Sequence, residues 1–475
     1  MPQYRTDNLG NMKKRYLQLH PVNASSGGQF SFKNGLPLIK FDISSSMNTT
    51  MLDGAELRLS GRFTARSGAD ASTNLDPTHF NFLDGYAGFN QCIETCTISS
   101  KRLNSVLERV TNYNRLVPSI LSGTHDAKEL ETIYSHMANQ HQTPALTRPA
   151  LNSYNQYNTA GEVQAASRRG ASFSTPIYAG MLHSENDIDI SVNGTGGLII
   201  EILLRSDVGV VFGSNASALN TSYTLNDLVL TVPVYELQGQ PSGQVSNYEF
   251  NSWSSMFQTI NTSSSVVAMT PGLAQVSSAI CNFITANDLG NQNFNSSRLG
   301  PIGEVQQLRW SKNGALYPKQ FRSETVNQQN NDVAKSAAGN AQSNHVYNVS
   351  AEIVRDGLEA LKVDRYNNVH NCSQAYNSWQ GGSVDKHQNC GRDGVAPGSS
   401  YQWGILYDAY GAGTNFSQTV FSVEVQASGT STLDVGGTLL ANSLTGSSAT
   451  AQACVLYFLN KNTLMMSPQG IQVVR

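Results

Sequence analysis

Between residues 56 and 63 apolar and polar positions alternate. Leu57, Leu59, Gly61 and Phe63 fall on one side, and Glu56, Arg58, Ser60 and Arg62 on the other. A period of two is that of a half-buried strand, because successive side chains of an extended chain point to opposite faces. The same period returns at 421–426, where Phe421, Val423 and Val425 oppose Ser422, Glu424 and Gln426. Both stretches predict antiparallel sheets with one dry face. Residues 198–204 and 228–235 are more continuously apolar and β-branched, as strands inside a sandwich are. In the second of them Pro233 predicts an edge or an end, since proline cannot donate to a ladder. Loops rich in Gly, Asn and Ser at 191–197, 213–222 and 436–450 separate such runs. Short strands with these spacers predict an all-β sandwich architecture.

Helical spacing is the minority pattern. Leu103, Val106, Leu107, Val110, Val117, Ile120 and Leu121 recur mostly every three or four residues. They predict a helix that begins after Ser100 and breaks or ends near Val117, at Pro118. A second short helix is expected at 127–137, where Asp126 precedes Glu129 by three residues in a capping-box pattern. A third is expected at 351–361, with Ile353, Val354, Leu358 and Leu361 on one side. All three apolar stripes are expected to pack against sheets.

At 475 residues the chain exceeds what one core usually holds, so two domains are expected. The polar stretch at 238–246 has neither period and falls near the midpoint. It divides the chain into an N-terminal arm (1–25), a first sandwich (26–238), a linker (239–248) and a second sandwich (249–475). Strand signals between 250 and 285 are weak, so the register of the second sandwich is not fixed by the pattern.

Only 14% of residues are charged and the formal net charge is −3. Basic residues cluster only briefly, at Lys13, Lys14 and Arg15 and at Arg168 and Arg169, which excludes extensive wrapping of nucleic acid. Residues 1–9 carry no apolar core of the kind a signal peptide needs, so the protein is expected to stay in the compartment where it is made. No apolar run approaches the ~20 residues that span a bilayer. The six cysteines, Cys92, Cys96, Cys281, Cys372, Cys390 and Cys454, include no CxxC pair and argue against a disulfide scaffold. Sequons such as those at Asn23, Asn48, Asn193, Asn215 and Asn295 are common by chance in this composition and are expected to stay unmodified.

The usual reactive signatures do not occur: no nucleophile elbow, phosphate loop, His-Glu-x-x-His helix or dinucleotide turn. The expectation is no catalytic, cofactor-binding or metal-binding residue, and hence no small-molecule substrate. Three clusters have a chemical reading beside a bland one. His183, Glu185, Asp187 and Asp189 alternate, so they would share a strand face and offer oxygen ligands to a hard cation, or be ordinary solvated groups at a loop. Cys92 and Cys96 are four apart but precede a β-like segment, which favours buried thiols over zinc. His370, Cys372, His387 and Cys390 offer four nitrogen and sulfur ligands across a Gly-rich loop, or a Cys372 to Cys390 disulfide, or neither.

Taken in order, four stretches resemble the double jelly-roll major capsid proteins of virophages and polinton-like viruses. They are Ile39-Lys-Phe-Asp-Ile43 with the strand at 55–63; Leu83-Asp-Gly-Tyr-Ala-Gly88 leading through Ile98 and Ser99 to Glu108, Tyr113 and Leu116; residues 197–204 with 223–230; and residues 308–318 with the terminal strands at 463–466 and 470–474. The resemblance implies two tandem jelly rolls, homotrimeric pseudo-hexagonal capsomers contacting neighbouring capsomers, and penton and minor capsid proteins as partners. It also implies an N-terminal segment lying toward the genome or inner membrane, and a place in the virion after assembly inside the host cell. Two other classes compete with it. One is a tandem sandwich that binds a receptor or glycan, for which Trp253, Trp379 and Trp403 would be candidate platforms. The other is a polysaccharide-active jelly roll, which would need two carboxylates facing across a groove.

Overall fold

The computed structural model describes residues 12–24, 28–33, 36–45, 50–66, 81–82, 88–124, 171–184, 186–207, 210, 212–213, 222–237, 246–260, 264–285, 305–327, 346–349, 356–357, 359–361, 403–407, 413–427, 452–467 and 470–474. The first half holds β1 (Met12–Leu19), β2 (Leu38–Ser44), β3 (Thr50–Leu52), β4 (Arg58–Arg66), β5 (Asn81–Phe82), β6 (Ile93–Ser100), β7 (Ser105–Thr111), helix α1 (Tyr113–Thr124), β8 (Ala171–Thr175), β9 (Ile188–Asp189), β10 (Gly197–Leu204), β11 (Phe212–Gly213) and β12 (Ser222–Leu237). The second half holds β13 (Ser246–Ile260), β14 (Ser264–Met269), β15 (Val276–Thr285), β16 (Val305–Lys312), β17 (Ala315–Asn327), β18 (Val346–Val349), β19 (Trp403–Leu406), β20 (Phe421–Ala427), β21 (Gln452–Ser467) and β22 (Gly470–Val474).

Each half makes two antiparallel sheets with one wiring plan. In the first half, β1 pairs β12, β12 pairs both β3 and β4 on its other side, and those pair β9 and β8; the facing sheet runs β2-β10-β6-β7. In the second half the sheets run β13-β21-β15-β19 and β14-β20-β16-β17. If β3 with β4, and β8 with β9, are each taken as one row, the described strands of both halves lay out one plan of eight rows. In both, one sheet takes rows one, eight, three and six and its partner takes two, seven, four and five. That is the jelly roll, in which hairpins fold over so that the last strand lies beside the first. The chain is a double jelly roll by its own connectivity. β22 extends the first sheet of the second roll beside β21, β18 flanks β17, and β5 with β11 form a small ribbon.

The alternating stretches behave as expected. Leu57, Leu59 and Phe63 are buried against the first core, and Phe421 and Val423 against the second. Residues 198–204 form β10, which is less enclosed than its composition suggests: Leu198, Ile200, Ile202 and Leu204 are buried, whereas Leu203 is exposed and Glu201 pairs with Lys40 on the open face.

Other expectations are corrected. Residues 105–111 are a strand, not a helix; α1 begins only at Tyr113 and Pro118 lies inside it. The ring removes one N–H from the ladder, while the Ser119 hydroxyl bonds the Arg115 carbonyl (2.8 Å). Pro233 neither ends β12 nor marks an edge. Its carbonyl accepts from the Asp53 amide (3.1 Å), so its missing N–H faces the gap where the 3-10 turn Gly54–Glu56 separates β3 from β4. Residues 12–19, placed by the sequence in an N-terminal arm, are β1, the first strand of the first roll. The weak stretch at 250–285 holds most of β13 together with β14 and β15. The helix expected at 127–137 lies outside the described residues; of the one at 351–361, residues 356–357 and 359–360 are helical.

Candidate functional site: the seam between the rolls

Nothing in the connectivity obliges two jelly rolls to touch, so the contact between them is where sequence is spent on making one body of two. It begins at β7, an edge strand of the first roll. There a bulge skips Leu107, so that Ser99 faces Val106 while Ile98 faces Glu108. This register puts the Glu108 carboxylate in the interior, with the residue only 2% exposed. A carboxylate survives burial when its lone pairs are filled. Three donors fill them: the amides of Gly180 (3.0 Å) and Met181 (2.8 Å), at the start of the 3-10 turn Gly180–His183, and the hydroxyl of Ser252 on β13 (2.5 Å). One acid thus ties β7, a loop of its own roll and a strand of the other.

Around it the polar contacts continue. Tyr248 donates to the Met181 carbonyl (2.5 Å) and Ser184 to the Glu249 carbonyl (2.7 Å). The Thr111 and Ser255 hydroxyls lie 2.5 Å apart, and Tyr457 donates to the Asn112 carbonyl (3.1 Å). Asn282 donates to the Ser119 hydroxyl (2.9 Å), while one Arg102 nitrogen reaches the carbonyls of Asn193 (2.7 Å) and Ser467 (2.8 Å). Between these bonds, Tyr248, Phe250, Ile280, Val455, Tyr457, Leu464 and Met466 of the second roll merge with the core of the first. At Gly180 the backbones come so close that an added Cβ would sit 1.5 Å from the Asn251 carbonyl oxygen.

Charge is buried beside the seam as well. Burial, and then the neighbouring Arg115, lower the Arg205 guanidinium to about 9, against which the Glu94 carboxylate acts. Burial likewise lowers Arg115, and it pushes the Tyr457 phenol up.

The residues singled out from sequence are placed elsewhere. His183 stacks on Tyr178, and its Nε2 lies 2.9 Å from the Ile177 carbonyl oxygen. An Asp189 carboxylate oxygen accepts from the Ser191 amide (2.9 Å), Asp187 is half-buried, and Glu185 lies outside the described residues. Among the described residues no three His, Cys, Asp or Glu side chains come together as a metal-holding group. His370, Cys372, His387, Cys390 and Trp379 lie outside the described residues, and Trp403 is described only as part of β19. Trp253 is partly buried against the first core.

Cys92 and Cys96 are fully buried free thiols, as are Cys281 and Cys454. Burial pushes the Cys92 and Cys96 thiols up, with the carboxylates of Asp207 and Glu108 adding to it. Thiolate is the reactive form. Because all four are buried out of reach of reagent, alkylation of the native protein at pH 8 followed by peptide mapping is expected to leave these four unlabelled, and labelling in denaturant to reach all four.

No protein-family model matches the chain, and no curated protein matches it. Solved structures do. A quasi-atomic model of the PBCV-1 virus capsid is 11% identical, with 98% of this chain and 97% of that chain covered and a TM-score of 0.49. The Sputnik virophage structure is 11% identical (97% and 88%, TM-score 0.49). The mavirus major capsid protein is 10% identical (96% and 89%, TM-score 0.44).

Proposed function

We propose that the protein is the major capsid protein of an icosahedral double-stranded DNA virus, a structural subunit without enzymatic activity. The observation that carries this reading is the repetition of one eight-row wiring plan in two rolls joined by a solid seam. A rigid block with two like halves is the unit from which three copies make a six-sided tile, since a heterologous contact repeated about a three-fold axis closes on itself. Such a tile packs against others on a curved surface with little change of contact. Jelly rolls also serve lectins and small-molecule binding domains, so the fold alone does not decide. What favours a tile is that the most elaborate polar chemistry described, around Glu108, is spent on holding the rolls together.

On this reading the finer roles follow as parts of the same proposal: homotrimeric capsomers, contacts with neighbouring capsomers and with penton and minor capsid proteins, a light contact of the N-terminal segment with genome or inner membrane, and assembly inside the host cell. We keep the boundary between the rolls near the expected linker at 239–248 but end it before Ser246, because β13 already begins there, three residues earlier than the sequence reading has the second roll start; we assign no catalytic, cofactor or metal residue. Light scattering on the purified protein is expected to give about three times the 51.3 kDa chain mass, and negative-stain images a pseudo-hexagonal outline. A monodisperse monomer at tens of micromolar would count against the proposal.

A further inference from the structure

The second strand of the first roll, β2, is an edge strand with an unusual closure. One side pairs β10 from Leu38 to Ser44. The other is met by the turn that follows β1. The Val22 amide donates to the Lys40 carbonyl (2.8 Å), the Asn23 Nδ2 donates to the Leu38 carbonyl (2.7 Å), and the Lys40 amide donates to the Asn23 Oδ1 (3.0 Å). A side-chain amide carries the same donor and acceptor as a peptide unit. Asn23 therefore stands where one residue of a further strand would stand, and both outward groups of Lys40 are taken.

The covered segment is one that needs covering. Leu38-Ile-Lys-Phe-Asp-Ile-Ser44 alternates, with Ile39, Phe41 and Ile43 fully buried. An exposed edge of that kind is a template for another chain. Its charges would also suit a second copy of itself: in an antiparallel pairing centred on Phe41, Lys40 of each chain faces Asp42 of the other, a favourable cross-strand pair. In the protein those charges are engaged at home, Lys40 with Glu201 (3.1 Å) and Asp42 with Lys101 (2.6 Å).

We propose that Asn23 is an edge guard, whose side-chain amide keeps β2 from adding to β2 of a second copy. This goes beyond the capsid reading and does not depend on it, because it concerns an association the protein avoids, whatever its native oligomer.

The test uses the full chain with Asn23→Ala, Asn23→Asp and Asn23→Ala combined with Lys40→Pro. In Asn23→Ala the Lys40 amide is expected to exchange about tenfold faster in dilute solution, the worth of one side-chain hydrogen bond. Sedimentation is expected to show a concentration-dependent species of twice the wild-type mass, or larger aggregates that bind thioflavin. Asn23→Asp keeps the acceptor for Lys40 and loses the donor to Leu38, so it should fall between. Adding Lys40→Pro removes the outward donor a pairing strand needs, which an edge tolerates, and is expected to restore wild-type sedimentation. Two results overturn the proposal: wild-type exchange and sedimentation in Asn23→Ala, or association that Lys40→Pro does not abolish, which would mark general loss of stability instead. If Asn23→Ala does not fold, Asn23→Asp carries the same two readouts.

Discussion

Gly180→Ala is expected to destabilise the protein by about 3 kcal/mol, the upper end of what overpacking does. The methyl carbon would lie 1.5 Å from the Asn251 carbonyl oxygen and 2.6 Å from its carbon, both backbone atoms of β13. A flexible side chain could swing aside; the middle of a strand paired along its whole length with β21 cannot. The only relief is to push the Gly180 turn away from β13, which lengthens the Met181 and Ser252 bonds to Glu108 and loosens the Tyr248 bond. Urea unfolding monitored by fluorescence measures the loss, and amide exchange at Met181 reports whether it is the seam that opened. An alanine variant within about 0.5 kcal/mol of wild type would mean that the rolls are less tightly joined than described.

The second large effect is expected at Glu108. Replacement by alanine strands two backbone amides and one hydroxyl in a dry interior, where each unsatisfied donor costs about 1 to 3 kcal/mol. A total near 4 kcal/mol follows, since stranded groups share what water can enter. Glutamine keeps one acceptor but turns an N–H₂ toward the remaining donors, so it should lie between alanine and wild type. A double-mutant cycle with Ser252→Ala separates the bond that crosses the seam from the two that do not. A coupling of about 1 kcal/mol or more is expected there, and a coupling near zero would show that Glu108 serves its own roll alone.

These two residues also show how far the sequence could be read. Strands β4 and β20 announce themselves because one face is dry and the other wet, and alternation records that directly; β10 is legible only as an apolar, β-branched run, which hides its open face. Residues 103–111 read as a helix for a physical reason. The extra residue at Leu107 breaks the two-residue period, and Val106, Leu107 and Val110 then mimic helical spacing. The same bulge turns an acid inward, and no local pattern distinguishes a buried Glu108 from a solvated one. Gly180, Ser252 and Ser255 are silent for a related reason: they matter only through partners distant in sequence, and glycine and serine are expected in any loop or polar face. Pro233 misled because its lost donor faces a gap made by another segment. The twofold plan of the chain was legible from strand grammar and its polar midpoint, whereas the seam that makes the plan one object was not.

In each roll the most widely paired row is the eighth of the shared plan, followed in the second roll by the short β22. β12 joins β1 to β3 and β4, and β21 joins β13 to β15 and β22. A nascent chain lacking that final ribbon would have no strand to join the other rows and would leave their apolar faces and rims uncovered. Contacts of such long sequence separation form slowly. Each half is therefore committed only as its closing segment clears the ribosome, and a polypeptide truncated shortly before either one should be handled by the cell as debris.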